Sequence, residues 1–181
     1  MGAVLLGLRA RSEYLQRTYD PTWISKFNEQ FFDQESMIKS RRLAAKTLIE
    51  YEGRLDSGDK QLNYINDVLD FFEQLGFYVK GDKVSPEFVH QSFYYWIEGY
   101  YAAARPHIVR EQTMNPTAWD HIEYLYIVTK QVEEEITKKK VKKLDSTELR
   151  SFLDDESEDL DNHQESKATM SGRLAPPISV T

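Results

Sequence analysis

The chain has 181 residues, of which 40% are hydrophobic, 13% aromatic and 29% charged, with a net charge of −7. That composition fits one water-soluble domain rather than a disordered chain. Cysteine is absent, which excludes disulfides, thiolate nucleophiles and cysteine-based zinc or iron–sulfur sites and leads us to expect a reducing, cytoplasmic setting.

The charge is unevenly spread. Residues 145–181 hold nine acids against Arg150, Lys167 and Arg173, a balance of −6 that leaves −1 for residues 1–144. A near-neutral body with an acidic end does not draw phosphate backbones, so nucleic acid is not an expected partner. The apolar run Ala3–Leu8 lacks a preceding basic region and falls far short of the roughly 20 residues that span a bilayer, so neither a signal peptide nor a membrane helix is expected in the chain as written.

Tyr19-Asp20-Pro21 predicts the first helix start, with Asp20 as cap and Pro21 at the first helical position; Trp23, Phe27 and Phe31 then recur every four residues. A second helix is expected over about 34–54, with Met37, Ala44, Leu48, Tyr51 and Leu55 on one face, Arg41 inside that stripe, and a stop at Asp56-Ser57-Gly58-Asp59. The third, over about 60–75, carries Leu62, Ile65, Val68, Leu69 and Phe72 on one face, and Gly76 is expected to end it. Ser85-Pro86 opens the fourth helix, whose aromatic residues from Phe88 to Tyr101 occupy nearly every face and mark it as the central element, to be kinked or ended by Pro106. Asn115-Pro116 is expected to start the fifth, with Trp119, Ile122, Leu125, Val128, Val132 and Ile136 inward. Ser146-Thr147-Glu148 opens a short sixth helix through Leu153, and the acidic stretch from Asp154 to Thr181, poor in apolar residues, is expected to be disordered.

The candidate sites are few. The loop between Gly76 and Glu87 resembles an EF-hand only in outline, because it offers Asp82 and Glu87 where calcium needs six to eight oxygens. His90, His107, His121 and His163 lack metal-ligand spacing, so neither a metal nor another cofactor is expected. Lys138, Lys139, Lys140, Lys142 and Lys143 read as a solvated helix end next to the acidic tail. Arg41 and Arg42 precede Ala44-Ala45, whose small side chains permit close helix approach. A guanidinium buried there needs a bidentate carboxylate, and Glu73 and Glu98 are the leading partners in a structural ion pair.

Four segments together, Arg41-Arg42-Leu43-Ala44-Ala45, Val68 to Gly76, Phe93 to Tyr100 and Arg105-Pro106-His107-Ile108, resemble an uncharacterised bacterial helical family designated only as a domain of unknown function. The resemblance covers about Tyr19 to Tyr126 and implies a membrane helix just ahead of the domain. Only the stub Ala3–Leu8 stands in that place, so the chain is expected to be a soluble variant or to have its native start upstream; membrane association is expected only in the second case.

The combined expectation is an all-α fold: a single bundle of about five to six helices over residues 20–155 around an aromatic-rich central helix, with a lead segment 1–19 and an acidic tail 156–181. No catalytic constellation is present. The expected function is a non-enzymatic interaction or scaffold module for an unknown protein partner. The alternative is an enzyme or small-ligand protein with a pocket near Glu98, Arg41 or Arg42, His107 and several tyrosines.

Overall fold

The computed structural model describes residues 21–51 and 62–171, and among these the chain forms six packed helices and no strand, the all-α fold expected. They are α1 (Pro21–Asn28), α2 (Glu35–Tyr51), α3 (Leu62–Lys80), α4 (Pro86–Met114), α5 (Asp120–Thr137) and α6 (Ser146–Ser171). The stub Ala3–Leu8, the Asp20 cap and the stop at Asp56–Asp59 lie outside the described residues. No helix among the described residues is long and apolar enough to cross a membrane.

α1 joins α2 through one wider turn, Glu29–Asp33, in which the Gln34 N–H reaches back five residues to the Glu29 carbonyl at 3.2 Å. A π turn of this kind advances the side chains by one extra residue. Here it sets Phe31 at the hub of the core, in ring contact with Phe32, Phe71, Phe72, Phe93 and Trp96. Most of these rings meet edge to face, the arrangement that puts the positive ring edge on the negative ring face.

The predicted stripe of α3 is buried from Leu62 to Phe72. α4 is central as its sequence suggests, touching α1, α3, α5 and α6. It buries Val89, Phe93, Ile97, Tyr100, Ala104 and Ile108 but leaves Tyr95 half exposed and Trp96 half-buried, so one face reaches the surface.

Four boundaries differ from the sequence expectation. α3 runs through Gly76 to Lys80, and the turn comes at Gly81-Asp82, where Asp82 takes the left-handed φ of 54°. Gly76 serves instead as a point of close approach: a Cβ there would collide with the backbone carbonyl of His121 on α5. α4 continues through Pro106 to Met114, because the exposed proline faces away from the core while Ala104, His107 and Ile108 beside it are buried. α5 begins at Asp120, not at Asn115-Pro116, after Trp119 in the left-handed conformation. α6 runs on to Ser171, past Asp154 where composition predicts the disordered tail to begin, and it turns Phe152, Leu153, Glu156 and Ser157 inward against the body. Only residues 172–181 of that tail lie outside the described residues.

The contact at Gly76 gives a signed test. In an exposed helix interior, glycine to alanine stabilises by about 1 kcal/mol through helix propensity. Gly76→Ala is expected to destabilise, by about 1–3 kcal/mol, the range for forcing extra volume into a packed site. Urea denaturation reads the sign directly, and a midpoint raised by the substitution would mean that α3 and α5 do not touch there.

Candidate functional site

Arg41 lies one turn before the buried Ala45 and two before the buried Leu48 of α2, and its side chain is only 9% exposed. A guanidinium in that setting requires a planar acceptor. Glu156 of α6 supplies it: Arg41 Nε donates to Oε2 at 3.0 Å and Nη2 donates to Oε1 at 2.8 Å. The remaining nitrogen, Nη1, donates to the Phe31 carbonyl at 3.2 Å, and the guanidinium lies 4.2 Å from the Phe31 ring centroid, within cation–π range.

Each Glu156 oxygen takes a second donor from α4. Trp96 Nε1 donates to Oε1 at 2.9 Å, and the Tyr100 hydroxyl donates to Oε2 at 2.8 Å, with the Arg41 carbonyl oxygen 3.1 Å away. Four donors fill the four lone-pair directions of a carboxylate. Burial first, and then the negative charge of Glu156, hold the Tyr100 phenol well above its ordinary pKa, so it keeps the proton it donates. Gly99 completes the site, since a Cβ there would strike the Phe152 ring of α6. The socket for α6 is thus two donors from α4, one guanidinium from α2 and a floor without a side chain.

The other predicted residues go elsewhere. Glu73, expected to take an arginine, instead caps α5 from across the bundle: one oxygen accepts from the backbone N–H groups of His121 and Ile122 at 2.8 and 2.9 Å, and the other accepts from His121 Nδ1 at 2.6 Å. A carboxylate at a helix N-terminus meets both the unbonded N–H groups and the positive end of the helix dipole. Asp70, one turn earlier on α3, accepts from Trp119 Nε1 at 2.8 Å and secures the residue that precedes α5. Arg42 is half-buried on α2, turned about 100° around the helix from Arg41.

Glu98 lies in a half-buried polar seam between α4 and α5, with Tyr94 beside it and Lys130 opposite. Burial raises its carboxyl, against the pull of Lys130. In the same seam, burial and then the charges of Glu98 and Glu133 raise Tyr94, and burial pushes Tyr101 up to about 12. His90 donates to Glu133 at 2.7 Å and stacks on Tyr94. His107 is held neutral: Nε2–H donates to Asn66 Oδ1 at 2.8 Å, while Nδ1 accepts from Arg110 at 2.9 Å, and burial, then Arg110, lower its pKa. The side chain of His163 lies outside the described ones. Among the described residues, no three or more His, Cys, Asp or Glu side chains are placed to hold a metal ion.

Glu156, Trp96 and Tyr100 are the site residues that sequence reasoning missed. The available signal was a stripe of Leu149, Phe152, Leu153 and Glu156, spaced as one helical face, in which the acid stands at an inward position.

The family model for a domain of unknown function, DUF4760, matches residues 2–129. The chain belongs to this family. No curated protein and no solved structure matches it. Arg41, Trp96, Gly99 and Tyr100 all fall inside the matched DUF4760 segment, whereas Glu156 and the whole of α6 follow it.

Two consequences can be measured. Arg41→Met alone leaves the Glu156 carboxylate buried without its cation and is expected to cost about 3–5 kcal/mol, whereas Arg41→Met with Glu156→Leu is expected to recover most of that loss. Chemical denaturation of the two singles and the double closes the cycle, and additive losses would mean that the two groups do not interact. For Glu98 the sign follows from a pKa raised in the folded state: its contribution is full below the ordinary carboxyl value of 4.5 and is lost as pH rises through the folded value. Wild type is therefore expected to lose stability relative to Glu98→Gln as pH rises from 4.5. A constant difference between the two across that range would show that Glu98 titrates as it does in the unfolded chain.

Proposed function

We propose that this DUF4760 protein is a helical interaction module, not an enzyme, and that its binding face is the groove between α2 and α4, which takes an acidic amphipathic helix. One observation carries the reading. A helix from outside the family segment is seated in a socket built wholly from residues inside it, and its buried Glu156 carboxylate is saturated by four donors.

The chemistry suits recognition. The fork of Arg41 fixes the register of the incoming carboxylate, an amide in its place would turn its NH2 onto a donor-only group, Arg41 Nε on one side or Trp96 Nε1 and Arg41 Nη2 on the other, and Gly99 admits an aromatic ring one turn earlier. The pattern Leu-x-x-Phe-Leu-x-x-Glu on α6 is then the form of the ligand, an instance of helix-in-groove binding.

The rival reading, a pocket shared by Glu98, Arg41 or Arg42, His107 and tyrosines, has weaker support. Arg41 is engaged by Glu156, Glu98 faces Tyr94 and Lys130, and His107 is engaged by Asn66 and Arg110, so these groups serve three separate settings. We place the module in the cytoplasm, consistent with its lack of cysteine. A membrane helix ahead of the domain, as the family resemblance implies, would hold the groove near a bilayer.

The test is a labelled peptide of residues 146–171 titrated into the full chain. In wild type the tethered α6 competes at an effective concentration on the order of millimolar. Glu156→Ala weakens that competitor and leaves the socket intact, so this variant is expected to bind the peptide at least about tenfold tighter than wild type, a difference of about 1.4 kcal/mol. A peptide carrying Glu156→Gln is expected to lose the gain. Equal binding of both peptides, or none to either chain, would remove the proposed groove.

A further inference from the structure

The groove and its occupant are joined by a connection suited to opening. Residues 138–145 link α5 to α6 without a helical turn, and Lys138, Lys139, Lys140, Lys142 and Lys143 are all exposed along it. Like charges so closely spaced repel and favour an extended chain. Lys138 ends α5 in the left-handed conformation, φ 57°, which a residue with a side chain adopts at a cost. Val141 N–H donates to Glu134 Oε1 at 3.0 Å, an exchangeable contact near the surface that ties the connection to α5.

The seat of α6 lies mainly on α2, with a smaller share on α4. The helix packs on α2 and α4, with Leu149, Phe152 and Leu153 as its apolar anchors and Glu156 as its polar one. α6 therefore leaves α5, the helix that leads into it, and lies across two helices from earlier in the chain.

We infer that a second copy of this chain is the partner of the groove: two copies exchange their α6 helices, so that Glu156 of each is held by Arg41, Trp96 and Tyr100 of the other. This rests on the groove reading above and names its occupant. Exchange preserves every contact of the socket, which is why swapping an identical element is a low-cost route to a symmetric dimer. Opening residues 138–145 also releases Lys138 from its left-handed turn and lets the five ammonium groups separate. The closed monomer is favoured at low concentration because its own α6 is tethered, and the exchanged dimer gains as the concentration of chains approaches the effective one.

The experiment uses complementary full-length variants. Arg41→Met keeps the arm and loses the socket; Glu156→Ala keeps the socket and loses the arm. Each alone is expected to sediment as a monomer, and a mixture is expected to give a one-to-one dimer through the one intact arm and the one intact socket. Circular dichroism of each variant checks that the body is helical, and the milder pair Arg41→Lys and Glu156→Gln replaces any variant that is not. A further variant deletes residues 139–141 from the otherwise wild-type chain. The connection then has five residues in place of eight, which works against α6 reaching its own groove, and a stable dimer is expected that Glu156→Ala dissolves. If mixture and shortened chain both remain monomeric while the labelled α6 peptide still binds the Glu156→Ala chain, the second copy is not the partner and the groove reading stands. If the peptide does not bind either, both fail.

Discussion

A guanidinium taken out of water must find a carboxylate within reach, and the arrangement of this protein turns on how Arg41 does so. Its three nitrogens bond to two distant parts of the chain: the carbonyl of Phe31, delivered by the wide turn after α1, and the carboxylate of Glu156 on α6. The same carboxylate draws in Trp96 and Tyr100 of α4. The turn after α1, α2, the central α4 and α6 therefore meet around one charge pair. The pair is buried, and replacing both members by apolar groups need not weaken the fold; what the charges add is register, since only one position of α6 satisfies all the donors at once.

A second carboxylate works in the same manner on a smaller scale. Glu73 reaches from α3 to the first N–H groups of α5, a separation of 48 residues, and does for that helix what a local serine or aspartate does elsewhere. The close approach at Gly76 and the bond from Trp119 to Asp70 flank it, so the start of α5 is set by α3 on three counts. In both places an acid from one element satisfies donors that another element cannot satisfy for itself.

This division explains what could be read from the sequence. Periodicity is local, so the helices, the inward stripe of α3 and the aromatic character of α4 were legible, as was the demand that Arg41 in an apolar stripe makes for a bidentate acid. The identity of that acid was not, because a run of acids from Asp154 to Glu158 has the composition of a solvated segment, and only the phase of Glu156 relative to Leu149, Phe152 and Leu153 sets it apart. Asn115-Pro116 carried a plausible local start for α5, but the actual start depends on Glu73, which no window around residue 120 contains. Pro106 and Gly76 misled for a related reason. Each has a strong local meaning, and in each case burial of the neighbouring turns, or a close packing contact, outweighed it.

The pairing of Arg41 with Glu156 spans 115 residues, and synthesis runs in one direction. At about 5–20 residues per second, roughly 6 to 23 seconds separate the addition of the arginine from that of its partner. Once Tyr100 has been added, 56 residues before Glu156, the helices that form the socket can associate, yet the guanidinium at their centre has to remain hydrated, and the face between α2 and α4 has to stay open to water. The nascent chain thus presents a cationic, aromatic-lined cleft before α6 exists. Closure over that cleft waits for α6.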